Sequence, residues 1–257
     1  MRMKVVLIGS GNVSSVLGKL MLANGHEILQ VISRNQAHAA ILAKELRAMA
    51  DTDLEKVNPK ADICVVAIAD DALYTIDKKL HVNGQLVVHT AGSVSREVLH
   101  KTSTRYGVLY PLQSLRAGTD HFPDIPFLVD GNDDETSRDI FSFAASLSDK
   151  VSMATDEQRL KLHLAAVASS NFINHLLMLT EAYCKKEGVD FKLLFPLLSE
   201  TVNRIHDLSP SAVQTGPAIR NDQDTIKKHL GMLSENPELQ KIYKIMTKSI
   251  QDHYPIS

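Results

Sequence analysis

A chain of 257 residues, 44% of them hydrophobic, can bury the core of one large domain or two modest ones. With 28 Lys and Arg against 30 Asp and Glu, the formal net charge is −2 and no basic block stands out, which argues against a nucleic-acid partner. The first expected strand starts almost at Met1, leaving no room for a signal peptide, and no stretch reads as the ~18 uncharged apolar residues of a membrane span, so a cytoplasmic protein is expected.

The stretch from Met3 to Gly25, MKVVLIGSGNVSSVLGKLMLANG, predicts a strand, a glycine turn and a helix in that order. Lys4 to Ile8 is β-branched and apolar enough for a strand buried on both faces. Gly9 can make the sharp turn, and Gly11 lets a pyrophosphate approach the backbone. Val13, Val16, Leu17, Leu20 and Met21 then recur with the helical period until Asn24-Gly25. The free amides and dipole at the helix start would face phosphates, which places Gly9, Ser10, Gly11, Asn12 and Val13 at a dinucleotide site. The third fingerprint position is Ser14, so strand and helix are expected slightly further apart.

The second strand is Glu27 to Ile32, followed by Ser33-Arg34-Asn35. An NAD site carries Asp or Glu here to hold the ribose hydroxyls. A carboxylate would repel a 2′-phosphate, whereas a hydroxyl and a guanidinium bind one through charge-assisted hydrogen bonds. The segment therefore points to NADP. A helix is expected over Gln36 to Met49. Asp62 to Ala69 is the next central strand and runs into Asp70-Asp71. Gln85 to His89 is another, ending in Thr90-Ala91-Gly92-Ser93, with Ser93 or Ser95 free to cap the next helix. The strand ends place Ala69, Asp70, Ala91 and Gly92 along the cofactor. Further strands are expected at Gly107 to Tyr110, Phe127 to Val129 and Lys150 to Met153, with a loop through Gln113 and Ser114 on the same sheet edge and a helix over Glu135 to Leu147. Alternating strands and helices to residue 153 predict a doubly wound α/β domain, 1–153.

Residues 154–257 read as all-α. Asp156 to Lys186 is one long helix without Pro or Gly. From Leu162 to Leu179 it is apolar on most sides, which predicts burial on most sides. Helices are expected at Phe191 to Ile205, Asn221 to Leu233 and Pro237 to His253, with a Pro/Gly loop over Ser209 to Arg220. Cys64 and Cys184 sit far apart in apolar segments and read as reduced core residues. There is no Cys/His metal spacing, no Walker lysine and no G-x-S-x-G elbow, so no metal site is expected.

His163, Val167, Ser170, Asn171 and Asn174 fall on one face of the long helix at 3.6 residues per turn. Such a polar stripe either meets other helices or lines a pocket, because an unpaired buried imidazole or amide costs about 1–3 kcal/mol. Histidine titrates near neutrality and suits a proton donor. Pro217, Arg220, Asp222, Thr225 and His229 form a second polar group, in which Arg220 either holds an anionic substrate or flanks an ordinary helix cap.

Several segments together also carry a resemblance. VVLIGSGNVSSVLG, SRN, VVAIADDAL and HTAGSVS resemble the group of pyrroline-5-carboxylate reductase, ketopantoate reductase and deazaflavin-dependent NADP reductase. Across nearly the whole chain, YPLQSL, RLKLHLAAVASSNFINHLL and QTGPAIRND with His229 behind it are similar to a family of uncharacterised NADP oxidoreductases. Those proteins pair a Rossmann-like domain with a helical domain of unknown function. The resemblance implies a helical domain of the 6-phosphogluconate-dehydrogenase type that often mediates a homodimer. Related β-hydroxyacid dehydrogenases place a Lys and an Asn on the equivalent helix. Here Asn171 carries over, while Lys161 lies off the face of His163. The expectation is an oxidoreductase that moves hydride between NADP and a carbonyl or imine carbon of a small molecule. His163 would donate the proton, Asn171 would orient the substrate, Gln113 or Ser114 would close the site, and Ser170 and Arg220 would contact substrate. The competing expectation is an NADP-binding sensor whose helical domain contacts a protein partner.

Overall fold

A computed structural model describes residues 2–118 and 122–254. It divides into two compact units, Met1–Val167 and Ala168–Ser257. The first is built on an eight-stranded sheet among the described residues, in the order β3-β2-β1-β4-β5-β6-β7-β8. β1 (Lys4–Ile8) pairs in parallel with β2 (Glu27–Ile32) on one side and with β4 (Ile63–Val66) on the other. β3 (Met49–Asp51), β5 (Leu86–His89) and β6 (Arg105–Pro111) extend the parallel sheet. β7 (Phe127–Gly131) runs antiparallel to β6, and β8 (Val151–Met153) closes the edge.

Chain order reverses between β1 and β4. This puts the carboxyl ends of those strands, Ile8 and Val66, side by side where open α/β sheets bind ligands. Residues of β1 point alternately to two separate cores. Val5 and Leu7 pack with Leu17 and Met21 of α1 (Asn12–Ala23) and Leu46 of α2 (Gln36–Leu46). Val6 and Ile8 pack on the opposite face with Cys64, Val66 and Leu73, the last from the short α3 (Asp70–Leu73). Each such side chain contributes about 1.5–3 kcal/mol when taken fully out of water, so the sheet is clamped from both sides. Both cysteines are free and buried, and burial pushes the Cys64 thiol up to about 12.

The helix expected to reach Met49 stops at Leu46. Arg47 takes a left-handed backbone, φ 55°, and Met49–Asp51 then pairs with β2 as an edge strand that the sequence pattern does not show. α4 (Asp134–Ala145) covers β6 and β7.

The long helix departs from expectation in three ways. It is α5 (Asp156–Ala166), a π turn (Val167–Asn171) and α6 (Phe172–Lys186). Hydrogen bonds i→i+5 break the regular 3.6-residue phase, so the stripe from His163 to Asn174 is not one regular helical face. The two units part inside this turn rather than ahead of the helix, because α5 is bonded into the sheet unit. Finally, the apolar stretch expected to be buried is largely exposed in the single chain: Leu164 is 68% and Phe172 65% exposed. Asp156–Lys186 is also long and apolar enough to cross a membrane by length and composition alone, contrary to the sequence expectation.

The second unit contains α6, α7 (Phe195–Asp207), α8 (Gln223–Met232) and α9 (Pro237–His253). Its buried apolar residues are Leu179, Cys184, Ala218, Ile226 and Leu233, while Leu193, Leu197, Val202, Ile245 and Met246 are exposed.

Candidate functional site

The turn after β1 is built for an anion. Gly9 sits at φ +115°, and a Cβ there would lie 2.0 Å from the Ala67 carbonyl oxygen, so no side chain fits. Its amide donates to the Ile32 carbonyl at 2.8 Å, tying the turn to β2. Gly11 precedes α1 with no side-chain cap, and nothing lies within 4 Å of where its Cβ would stand. The first-turn amides of α1 therefore face open space with the helix dipole behind them. Ser14 is buried with its hydroxyl 3.5 Å from the Ala67 oxygen, and close packing is made instead at Gly18, where a Cβ would meet Leu46 at 2.5 Å and Leu7 at 2.8 Å.

At the end of β2, the Ser33 and Ser10 hydroxyls share a hydrogen bond of 2.7 Å, which joins the end of that strand to the turn after β1. Arg34 is exposed. Asn35 caps α2 by accepting from the His38 amide at 3.1 Å, so its side chain has a structural task. His38, Lys78 and Lys79 line the same space. The sequence reading missed these three residues, since only the fold brings them to the cleft that Arg34 lines.

A cleft of about 860 Å³ runs from these side chains past Gly9, Ser10, Gly11, Asn12 and Val13 to Ala69, Asp70, Thr90 and Ala91. It brings together every expected cofactor residue except Gly92, which follows directly on Ala91. Asp70 accepts a 2.5 Å hydrogen bond from Ser93, so Ser93 braces the far end instead of capping a helix, and Ser95 caps the 3-10 turn Arg96–Leu99. The size, the bare helix start and the space at Gly11 fit a phosphorylated dinucleotide.

Behind Gly92 lies a pair that the strand pattern does not show. The Tyr110 hydroxyl, at the end of β6, is 2.9 Å from His163 Nδ1, with the rings edge to face at 5.9 Å. A Cβ on Gly92 would stand 2.6 Å from that Nδ1 and 2.8 Å from Tyr110 Cζ. Burial pushes the Tyr110 phenol up, the Arg159 charge draws it back, and Asp70 adds to the rise.

One turn earlier on α5, Arg159 is 1% exposed. Its Nη2 donates to the Val94 carbonyl at 2.5 Å and to Asp156 at 2.6 Å. Burial opposes the charge of Asp156, but hydrogen bonds from Ser95 and Arg159 hold its carboxyl below the ordinary range. Asp156 also accepts from the Arg96 amide, and Arg96 reaches Asp130 at 2.8 Å. The loop after β5 is thus gripped by α5. His89 is fully buried beneath it and accepts from the Ala91 amide at 3.2 Å.

Gln113 and Ser114 do not line this cleft. Gln113 lies on an exposed loop, donates to the Asp124 carbonyl and accepts from the Ser114 amide. The same loop returns to the phosphate turn, where the Ala117 amide donates to Asn12 at 3.1 Å. Ser170, Asn171 and Arg220 belong to the second unit and are not buried in the single chain. There Asp222 caps α8 by accepting from Thr225, and His229 pairs with Tyr243 at 2.9 Å. Lys161 is exposed and paired with Glu157. Among the described residues no cluster of His, Cys, Asp and Glu could hold a metal.

Comparison with known proteins bears on this arrangement. A protein named "putative NADP oxidoreductase" from Bacteroides fragilis is 38% identical, over 98% of this chain and 98% of its own, with a TM-score of 0.89. The chain belongs to that family of NADP oxidoreductases. Residues 4–92 match the family described as NADP oxidoreductase, coenzyme F420-dependent, and residues 125–250 match a domain of unknown function, DUF2520. NADP is therefore the cofactor. An imine reductase from Myxococcus stipitatus, solved with NADP⁺, shares the fold at 16% identity, covering 97% of this chain and 93% of its own, with a TM-score of 0.68. A 1-pyrroline-5-carboxylate reductase from Streptococcus pyogenes does so at 16% identity, covering 98% and 99%, with a TM-score of 0.65. No curated protein matches. Family and fold thus agree with the sequence expectation of a Rossmann-like domain followed by helices.

Proposed function

We propose that this oxidoreductase reduces a small carbonyl or imine compound, with His163 as the proton donor. The observation that carries the reading is the packing of Gly92, the residue after the last cleft-lining position, against the imidazole of His163. NADPH, when bound, supplies the hydride. Gly9 to Val13 would hold the phosphates, Ser33 and Arg34 the 2′-phosphate, and Ala69, Asp70, Ala91 and Gly92 the ring end. The imidazole is half-buried, so a proton held there is shielded from bulk water yet within reach of a small molecule. Imine reductases among the proteins of like fold, though only 16% identical, make an imine worth including among the substrates tried. Asn171, Ser170, Gln113, Ser114 and Arg220 are proposed to contact substrate, on the sequence motifs alone.

The helical unit is proposed to bind a second copy of this chain. A unit that buries, among its described residues, only the few apolar side chains named above offsets little of the entropy of ordering its helices, while its large exposed apolar side chains need a cover. Light scattering should give a dimer. A monomer with full helical content would overturn the proposal.

The enzymatic reading is tested by NADPH oxidation at 340 nm over a panel of keto acids, aldehydes and cyclic imines, alongside calorimetry with NADPH. Turnover that falls at least tenfold in His163→Ala, with the heat of NADPH binding retained, supports it. Turnover unchanged in that variant removes His163 from the chemistry.

A further inference from the structure

We propose that Tyr110 is a positioning residue that acts through His163: its hydroxyl donates to Nδ1, confines the neutral imidazole to the tautomer protonated on Nε2, and refills the ring when that proton leaves. The inference rests on the reading of His163 as the donor, but its first test does not.

Only one hydrogen can occupy the 2.9 Å line between the phenol oxygen and Nδ1. If Nδ1 carried it, the phenol would need a second acceptor for its own hydrogen. Among the described residues the Tyr110 hydroxyl makes no other hydrogen bond, and the side chain is buried. A buried donor left unpaired is disfavoured, so the phenol gives its hydrogen to Nδ1. The neutral ring then carries its own proton on Nε2. Nε2 makes no hydrogen bond among the described residues, and the ring is half-buried rather than enclosed. The free donor is thus the nitrogen turned away from Tyr110.

The surrounding packing holds this arrangement rigidly. Gly92 leaves no room for the ring to move toward the loop, and Arg159, four residues earlier on α5, fixes the helix to the Val94 carbonyl. The burial that pushes the phenol up keeps it protonated before the reaction, while the Arg159 guanidinium acts on it in the opposite sense and steadies a phenolate if one forms.

The proton balance closes. A carbonyl or imine carbon that gains hydride gives its π pair to oxygen or nitrogen. That atom takes the Nε2 proton and Nδ1 takes the phenol hydrogen; after the product leaves, Nε2 of the partly exposed ring takes one proton from solvent and Nδ1 returns its hydrogen to the Tyr110 oxygen, so one solvent proton is consumed per turnover. No imidazolate is formed.

Nitrogen-15 NMR on the full-length protein, in spectra where His163 is assigned by comparison with His163→Gln, reads the tautomer without substrate. The expected result is a neutral ring protonated on Nε2, changing to a mixture of tautomers in Tyr110→Phe. A wild-type ring protonated on Nδ1, or a Tyr110→Phe ring that keeps the wild-type tautomer, overturns the proposal, and the wild-type spectrum decides even if the variant does not fold. In turnover, Tyr110→Phe should lose at least tenfold in kcat with the Kd for NADPH unchanged. If His163→Gln retains full turnover while the tautomer result holds, the donor assignment fails and the Tyr110 geometry stands.

Discussion

Gly92 packs against the imidazole of His163, so close that a single methyl group on it would stand 2.6 Å from Nδ1. No real contact survives at that distance, and the same methyl would meet Tyr110 at 2.8 Å. Gly92→Ala must therefore displace the ring, the phenol or the loop. A misplacement of about 1 Å costs on the order of 100-fold in rate. Gly92→Ala should thus lose about that much in kcat/KM. Turnover within threefold of wild type would show that the ring position does not govern the rate.

Cofactor choice rests on the end of β2. No carboxylate directly follows β2 in the chain, Arg34 lies in the cleft wall, and Asp53, which lines the same cleft, is held by the Glu55 amide and by Lys56. A charge-assisted hydrogen bond contributes about 1.5–3 kcal/mol, or roughly 10- to 150-fold in affinity. Arg34→Ala should weaken NADPH toward the lower end of that range, because His38, Lys78 and Lys79 line the same space. NADH affinity should barely change. Calorimetry with both nucleotides checks this, and equal losses would place the 2′-phosphate elsewhere.

The half of the candidate site formed by the turn after β1 is legible in the sequence because it is local. A buried strand, Gly9 and a helix start lie within a dozen residues, and their order alone specifies the turn. Ser33 and Arg34 are legible for the same reason, as the end of the next strand. The other half is assembled from distant segments. Tyr110, Gly92 and His163 come from β6, the loop after β5 and α5, and no spacing rule links them. The helical stripe misled because it assumed one uninterrupted helix, whereas the π turn at Val167–Asn171 changes the phase. The exposed apolar helices have a similar lesson. An apolar surface read from sequence states a need for burial, and a single chain is not obliged to meet it.

Arg159 is a second position where burial gives a firm expectation. Its guanidinium is almost wholly enclosed and joins Asp156 to the Val94 carbonyl. Among the described residues its Nε and Nη1 have no hydrogen-bond partner. Arg159→Met would relieve those unpaired donors but take a partner from the Asp156 carboxylate and the Val94 oxygen. Asp156 is 37% exposed and keeps the Arg96 amide, so the loss is that of the unpaired buried Val94 oxygen and a weakened ion pair, about 1–3 kcal/mol. Denaturant titration should show a loss in that range. Stability equal to wild type would mean that the loop after β5 is held by Arg96 and Asp156 alone.

Acid sensitivity should trace to His89. Burial and the nearby Arg159 charge lower its pKa to about 4, against an ordinary histidine value of 6.5. Between those values the unfolded chain binds a proton that the folded chain does not, so stability falls as pH drops. The contribution is complete above pH 6.5 and is lost progressively down to about pH 4. A difference of this size corresponds to about 3 kcal/mol, the order of magnitude of a shift worth about 1.4 kcal/mol per pH unit. His89→Gln has no such proton to take up and should flatten the dependence of Tm on pH in that interval, even if its Tm at pH 7.5 is lower. Carboxylates such as Asp156 are held low and release their contribution only further into acid, so they do not mask the histidine step. If the Tm of wild type and variant decline in parallel from pH 7 to pH 4.5, His89 is not the group that the acid finds.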